Sequence, residues 1–351
     1  MAFIKIKPTD PLFFRSGKPF NMGEDTWTDS TFLPNPSVVW GAIFSALMTE
    51  NEKLRNNILN GKEKEPEKYL SINNIYLFNE ESKTLLLPAP LDLYLDDDDN
   101  VICSKFVDKK NNDGFTDNEL SSEVINSSST ECFMLPDSDK NCKRIENRFI
   151  DVHCLGQIYY KKQAESISVY PFDEIFETAS KIGIKRDSNK HNSEDSNLYR
   201  IDLTQFKEDW TFLVDVQFKN TVELKGKGIL KLGGEGKTAY YEVIEKSLNV
   251  TPYENYNNYI EKKTKPQFCK ILLTSPTLLP EDWENLDIKA SSIGKPISVG
   301  GWDMANHCPK VMKKYAPAGS VLIVTQNGLQ NFKKNVKPDI KGFNQYLKLP
   351  V

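Results

Sequence analysis

The sequence predicts an α+β fold of two ferredoxin-like units, each with the element order βαββαβ. Three observations carry that prediction. The first ninety residues read as strand, long loop, helix, strand, strand; a smaller strand–helix–strand pattern begins at Phe268; and 351 residues exceed what one small core requires while sufficing for two.

Each element has its own signal. Residues 2–7 set Phe3, Ile4 and Ile6 among lysines and predict a strand that ends at Pro8. An irregular segment follows, carries Arg15-Ser-Gly-Lys18 and closes on Pro34-Asn-Pro36. Ser37 is placed to cap a helix over 38–59, because apolar residues at 40, 43, 44, 47, 48, 54 and 58 fall near one stripe and Gly61 can stop it. Residues 72–78 and 84–87 read as a hairpin. From 96 to 147 the chain is acidic and lacks a sustained period, so an insertion or extended hairpin is expected at about 90–155. Residues 171–182 predict the second helix, with Phe172, Ile175, Phe176 and Ala179 on one side, followed by a polar loop to Asn197. Residues 210–218 alternate as a strand buried on one face. The first unit is expected to span 1–250 and the second 266–351, with 253–265 as linker. In the second unit, strands are expected at 269–274, 296–299 and 320–325, a short helix at 280–286, and a basic tail from Gln326.

Residues 225–241, Lys-Gly-Lys-Gly-Ile-Leu-Lys-Leu-Gly-Gly-Glu-Gly-Lys-Thr-Ala-Tyr-Tyr, are the densest functional signal. Five of the chain's 18 glycines fall between 226 and 236, so the main chain there can approach an anionic polymer closely, with lysines for charge and Tyr240 and Tyr241 for stacking. The same composition also makes an ordinary glycine hairpin between two strands. It is neither a P-loop nor a dinucleotide fingerprint. Two weaker runs have the same character: Phe13-Phe-Arg15-Ser-Gly-Lys18, and Val299-Gly-Gly-Trp302 with Lys310, Lys313 and Lys314. Tight turns and packed aromatics would use these residues equally well.

A net charge of −4 argues against a free-standing nucleic-acid binder held by bulk electrostatics. The charge is polarised, however. Residues 92–139 hold thirteen acidic side chains against three lysines, and residues 300–351 hold eight lysines against two aspartates, as suits a subunit with a polyanion on one side. The six cysteines are scattered without a C-x-x-C pair, and Cys132, Cys142, His153 and Cys154 fit no zinc finger, so half-buried thiols are expected and no metal or cofactor. His153, His191 and His307 are the only histidines. His307, in Met304-Ala-Asn-His-Cys-Pro309, could serve as acid or base or simply pack. With no nucleophile elbow or metalloprotease motif, a non-enzyme is expected. With no apolar run of membrane length and no signal-peptide core, so is a cytoplasmic location.

Taken together, Asp10-Pro-Leu-Phe-Phe-Arg15-Ser-Gly-Lys-Pro-Phe20, Pro34-Asn-Pro-Ser-Val-Val-Trp-Gly41-Ala, Gly183-Ile-Lys-Arg186 with Leu198-Tyr199, Leu232-Gly-Gly-Glu-Gly-Lys237, Gly300-Gly-Trp-Asp303 and Pro317-Ala-Gly-Ser320 resemble the third-subunit family of the Cmr, or type III-B, CRISPR effector complexes, within the repeat-associated (RAMP) superfamily. The resemblance spans residues 1 to about 325. It implies two fused RAMP modules of the RNA-recognition type and no catalysis. The subunit would hold the 5′ repeat tag of the CRISPR guide RNA, pack against the large polymerase/cyclase-like subunit and other RAMP subunits, and meet target RNA only indirectly. Carried onto this chain, the RNA-binding positions are Arg15, Lys18, Ser37, Trp40, Gly41, Lys185, Arg186, Lys231, Gly233, Gly234, Glu235, Gly236, Lys237, Gly300, Gly301, Trp302, His307 and Lys310. The loop 232–237 and the start of the first helix, 37–41, would form the floor for the tag, and a hairpin thumb would lie within 90–155. Two other classes compete. A RAMP endoribonuclease that processes guide RNA usually needs a histidine near the first helix, which this chain lacks, and a stand-alone single-strand RNA-binding module would need no partners.

Overall fold

Ile4 and Ile6 are fully buried while Lys5 and Lys7 alternate with them, and that period places the strand Ala2–Pro8 inside a sheet with two different faces. The computed structural model describes residues 2–15, 27–29, 33–108, 132–138, 140–161, 167–186, 193–220, 222–224, 226–244, 267–303 and 308–351. The sheet has eight strands in the order Val169–Pro171, Arg148–Asp151, Leu85–Pro88, Leu70–Asn79, Trp210–Phe218, Ala2–Pro8, Thr238–Ile244, Lys227–Lys231, and every neighbouring pair is antiparallel. The hairpin expected at 72–78 and 84–87 is there, through Leu77↔Leu86 and Phe78↔Leu85.

The helix Pro36–Glu50 buries Val39, Trp40, Ile43, Phe44 and Leu47 against Ile4, Ile6, Phe212, Val214 and Val216 on one face of this sheet. Asn35 is its N-cap, with Pro36 in the first helical position where its missing N–H costs nothing; Ser37 lies within the first turn instead of capping it. Asn51 breaks the expected single helix, its side chain accepting from the Leu54 N–H at 3.0 Å to start a second one, Glu52–Leu59. On the opposite face the helix Val152–Lys161 covers only part of the sheet, where Val152 meets Phe3, Tyr76, Phe78, Leu85, Leu87 and Leu213.

The second sheet runs Ile288–Ser292, Val321–Thr325, Phe268–Leu273, Tyr346–Leu349, again antiparallel. Its second strand is Ile288–Ser292, not the segment expected at 296–299, which forms a side pair, Ile297–Val299 with Lys313–Tyr315. The expected helix at 280–286 is a 3-10 turn, Trp283–Leu286. Residues 326–351 are not a tail. The helix Gln326–Asn335, N-capped by Thr325, buries Leu329 and Phe332, and Tyr346–Leu349 closes the sheet edge. The surrounding lysines had masked this narrow apolar stripe.

Two further expectations are corrected. Residues 171–182 form one helical turn, Phe172–Ile175, and then the strand Phe176–Arg186, paired with Ser193–Phe206; that turn already stacks Phe172 on Phe176, at 4.9 Å between ring centroids. The acidic stretch is not a featureless projection. Cys132–Pro136, Val101–Asp108, Leu93–Asp96 and Cys142–Arg144 make a four-stranded sheet. Leu93, Leu95, Val101, Met134 and Ile145 share one buried cluster with Leu272, Val321, Ile323 and Leu349 of the second sheet. The strands are short and the aspartates form the turn between two of them, so no period survives in the sequence. Residues 109–131, at the centre of the expected thumb, lie outside the described residues, as do the linker residues 253–265.

One buried ion pair joins the parts. Lys270 of the second sheet donates to Asp92 at 2.6 Å, Tyr159 of the helix Val152–Lys161 donates to the other carboxylate oxygen at 2.6 Å, and the ammonium lies 4.6 Å from the Tyr159 ring centroid. Burial, then the charge of Asp92, holds the Tyr159 phenol well above its ordinary pKa. Among the described residues no helix is long and apolar enough to cross a membrane.

Candidate nucleic-acid interface

The glycine run is a hairpin: Lys227–Lys231 pairs with Thr238–Ile244 from Lys227↔Glu242 to Lys231↔Thr238. Its tip is anchored by Leu232, fully buried, whose N–H donates to the Lys237 carbonyl at 2.9 Å. Gly233 has φ +81°, and a Cβ there would stand 2.7 Å from the Phe13 carbonyl oxygen. Next to it the Gly234 N–H donates to that same oxygen at 2.9 Å. These two glycines therefore seat the tip on the Phe13–Phe14 segment, and the Gly234 amide is already used. Gly236, with φ +68° and open space around it, leaves its backbone accessible.

Around the tip stand exposed Arg15, Lys231 and, half-buried, Lys237. Glu235 reaches Lys181 at 2.7 Å, which brings the strand Phe176–Arg186 to the tip. Lys181 was missed because its segment reads as a helix. Lys185 and Arg186 end that strand, their side chains outside the described residues, and Lys18 lies outside them altogether.

The other expected positions form a second group. Trp40 is 6% exposed, stacks on Phe44 at 4.7 Å and donates its indole N–H to the Leu70 carbonyl at 2.9 Å, so its ring belongs to the core and is not offered to a base. Ser37 and Gly41 are half-buried on the same helix. Lys341 lies 5.1 Å from the Trp40 ring centroid and pairs with Glu67 at 2.9 Å. Burial pushes the Glu67 carboxyl up, but Lys341, a backbone N–H and nearby Lys310 outweigh it and hold the pKa below its ordinary value. Lys310 stands in the hairpin that holds Gly300 and Gly301, where its N–H donates to the Gly301 carbonyl at 2.9 Å. The Trp302 side chain and all of His307 lie outside the described residues.

The expected floor for the tag is thus divided. Trp40 sits at Leu70, where the strand Leu70–Asn79 begins, whereas the tip lies beyond Thr238, level with its Asn79 end, nine residue steps or roughly 30 Å away.

Cys132, Cys142, His153 and Cys154 do not gather into one site. His153 lies in the helix Val152–Lys161, its N–H and its Nδ1 both on Asp151 Oδ1, at 2.9 and 2.8 Å. Among the described residues no three His, Cys, Asp or Glu side chains gather to hold a metal ion.

Residues 4–347 match the family model of a CRISPR-associated protein, Cas_Cmr3. No curated protein sequence matches the chain. Among solved structures, the chain is similar in fold to one in a cryo-EM structure of the Type III-B Cmr-beta bound to cognate target RNA, with TM-score 0.53 and 17% identity over 95% of this chain and 90% of that one. It is similar also to a chain of the Type III-B Cmr-beta bound to cognate target RNA and AMPPnP, state 1, with TM-score 0.52 and 16% identity over 95% and 88%.

Proposed function

This chain belongs to the Cas_Cmr3 family of CRISPR-associated proteins, and from that premise we propose that it is a non-catalytic, guide-RNA-binding subunit of a type III-B CRISPR effector, acting in the cytoplasm. In this reading it holds the 5′ repeat tag of the guide and packs against the large polymerase/cyclase-like subunit and other RAMP subunits, meeting target RNA only through them. The two antiparallel sheets are its two RAMP units. In the smaller, the second, third, first and fourth strands of a βαββαβ order lie side by side, with the helix Gln326–Asn335 between the third and fourth; the larger repeats that strand order as Leu70–Asn79, Trp210–Phe218, Ala2–Pro8, Thr238–Ile244, with the glycine hairpin where the second helix would stand.

The observation that carries the reading is the glycine tip. Gly236 leaves open backbone beside Arg15, Lys231, Lys237 and Lys181, a cationic rim around a chain that a phosphate can approach. The endoribonuclease reading draws less support, since His153 is engaged with Asp151 at a helix start and stands on a different element from the tip.

Gly236→Asp tests this. Aspartate tolerates the left-handed backbone and meets no neighbour, so the fold should stand while the added charge repels phosphate. Complexes assembled with this variant, or with Lys231→Glu and Lys237→Glu together, are expected to lose guide RNA and to leave repeat RNA uncut. Full guide retention in a variant of normal thermal stability would overturn the tip as the site.

A further inference from the structure

The large sheet has a face that none of the residues above explains. The helix Val152–Lys161 covers the part over Tyr76, Phe78, Leu85 and Leu87. Phe3 is buried in that cluster too, but beyond it the part over Lys5, Lys7 and the glycine hairpin is open, and it holds a shallow cleft of about 460 Å³ whose lining includes Lys7, Lys227, Ile229 and Tyr240.

The register arranges this face in rows. Beside the glycine tip, Thr238 stands opposite Lys231, and its hydroxyl lies 2.7 Å from that of Thr9. Two residues further along comes Lys7, Tyr240, Ile229, and two further again Lys5, Glu242, Lys227. Rows on one face are about 7 Å apart, and side chains within a row are direct neighbours. The face is therefore continuous with the tip along one strand, Lys227–Lys231.

Its chemistry is that of a stacking surface between cations. Tyr240 is 57% and Ile229 61% exposed, side by side, although either could have been an ordinary polar residue on a solvated strand. The charges form a chain in which Lys7 meets Glu80 at 3.3 Å, Glu80 meets Lys5 at 2.8 Å, Lys5 meets Glu242 at 3.0 Å and Glu242 meets Lys227 at 2.8 Å. Three lysines against two glutamates leave a positive surplus. The central Lys5 is satisfied by two carboxylates, whereas the ends, Lys7 and Lys227, are 53% and 75% exposed and flank the apolar pair.

We propose that this open half-sheet is a second binding surface for single-stranded RNA, with a base on Tyr240 and Ile229 and phosphates at Lys7 and Lys227, continuing the strand held at the glycine tip. Exposed aromatics stack any base, and lysines on either side take the backbone. The inference takes its direction of approach from the reading of the tip as an RNA site.

Guide RNA carrying 4-thiouridine along the tag and its neighbouring nucleotides, crosslinked in the assembled complex, tests both sites at once. Crosslinks to Tyr240 or its strand are expected in addition to crosslinks at 232–237. Crosslinks at the tip alone would overturn this proposal and leave the tip standing; crosslinks on the face alone would overturn the tip reading; none at either, with the face protected from hydrogen exchange by a neighbouring subunit, would make it a protein-docking surface. With the full chain and a labelled single-stranded RNA, Tyr240→Ala should weaken binding about tenfold and Tyr240→Phe hardly at all. Lys7→Glu with Lys227→Glu should flatten the slope of log affinity against log salt by about 0.7 per lysine lost. Glu242→Gln should tighten binding by releasing Lys5 and Lys227, an outcome that damage to the fold cannot mimic; unchanged or weaker binding there would refute the surface.

Discussion

The glycines of the hairpin tip do different work, and single substitutions separate them. Gly233 combines φ +81° with a site where a Cβ would come within 2.7 Å of the Phe13 carbonyl oxygen, a backbone atom that cannot swing aside. Gly233→Ala must therefore displace the Phe13 segment and weaken the Gly234 hydrogen bond to it, a loss of about 2–4 kcal/mol when strain and bond are combined. Gly236 has φ +68° but open surroundings, so Gly236→Ala bears only the left-handed backbone, about 1–2 kcal/mol. Thermal unfolding of the two variants should give Gly233→Ala clearly the lower midpoint, and equal midpoints would mean that the tip does not rest on Phe13. The sequence showed that the glycines cluster. It could not show which one meets a neighbour, because that neighbour is more than two hundred residues away. Trp40 illustrates the converse: a tryptophan in a recognised motif looks like a stacking platform until Leu70, also distant in sequence, takes its N–H.

Among the elements, those with a long strong period were legible and those set by distant partners were not. Ala2–Pro8, Trp210–Phe218 and the helix Pro36–Glu50 carry enough alternating or striped apolar residues to declare themselves, whereas three of the four strands of the insertion, at three to five residues, are too short for a period to show. The Asp-rich run at the end of Leu93–Asp96, where the sequence shows only acidity without a period, is a closed turn. The Asp96 carboxylate accepts the Asn100 N–H at 2.8 Å, the Asp98 N–H at 3.0 Å, the Asn100 side-chain amide at 3.1 Å and Lys140 at 3.2 Å. Backbone and side-chain bonds from Asn100, then Lys140 and the Asp98 N–H, lower its pKa from 3.8 to about 2, against the opposing effect of burial. Because the folded value is the lower one, Asp96 contributes stability fully above pH 3.8 and loses it as pH falls through about 2. Thermal midpoints recorded across pH 2–5 should therefore converge for the wild type and Asp96→Asn toward the acid end, with the wild type ahead at pH 5. A constant gap across the whole range would show that the carboxylate charge is not what closes the turn.

For the whole molecule, the main strands gather into a large and a smaller antiparallel sheet, and the union of the two was invisible in the sequence. The insertion, read as a projection from the first unit, packs its Leu93, Leu95 and Met134 into the core of the second, and Asp92, Lys270 and Tyr159 lock that contact with a buried charge pair. Nothing in the local pattern of Asp92 or Lys270 announces a partner 178 positions away. The pair has a testable consequence for cooperativity. Asp92→Ala leaves the Lys270 ammonium buried without its counter-ion, at a cost of about 3–5 kcal/mol, whereas Asp92→Leu with Lys270→Met removes both charges and should recover most of that loss. Since the triad ties the second sheet to the helix Val152–Lys161 of the first, the single variant should also uncouple the units, splitting one calorimetric transition into two, and the double variant should restore a single transition. A single variant that unfolds in one step at the wild-type midpoint would mean that the apolar cluster alone unites the molecule and that the ion pair is incidental to it.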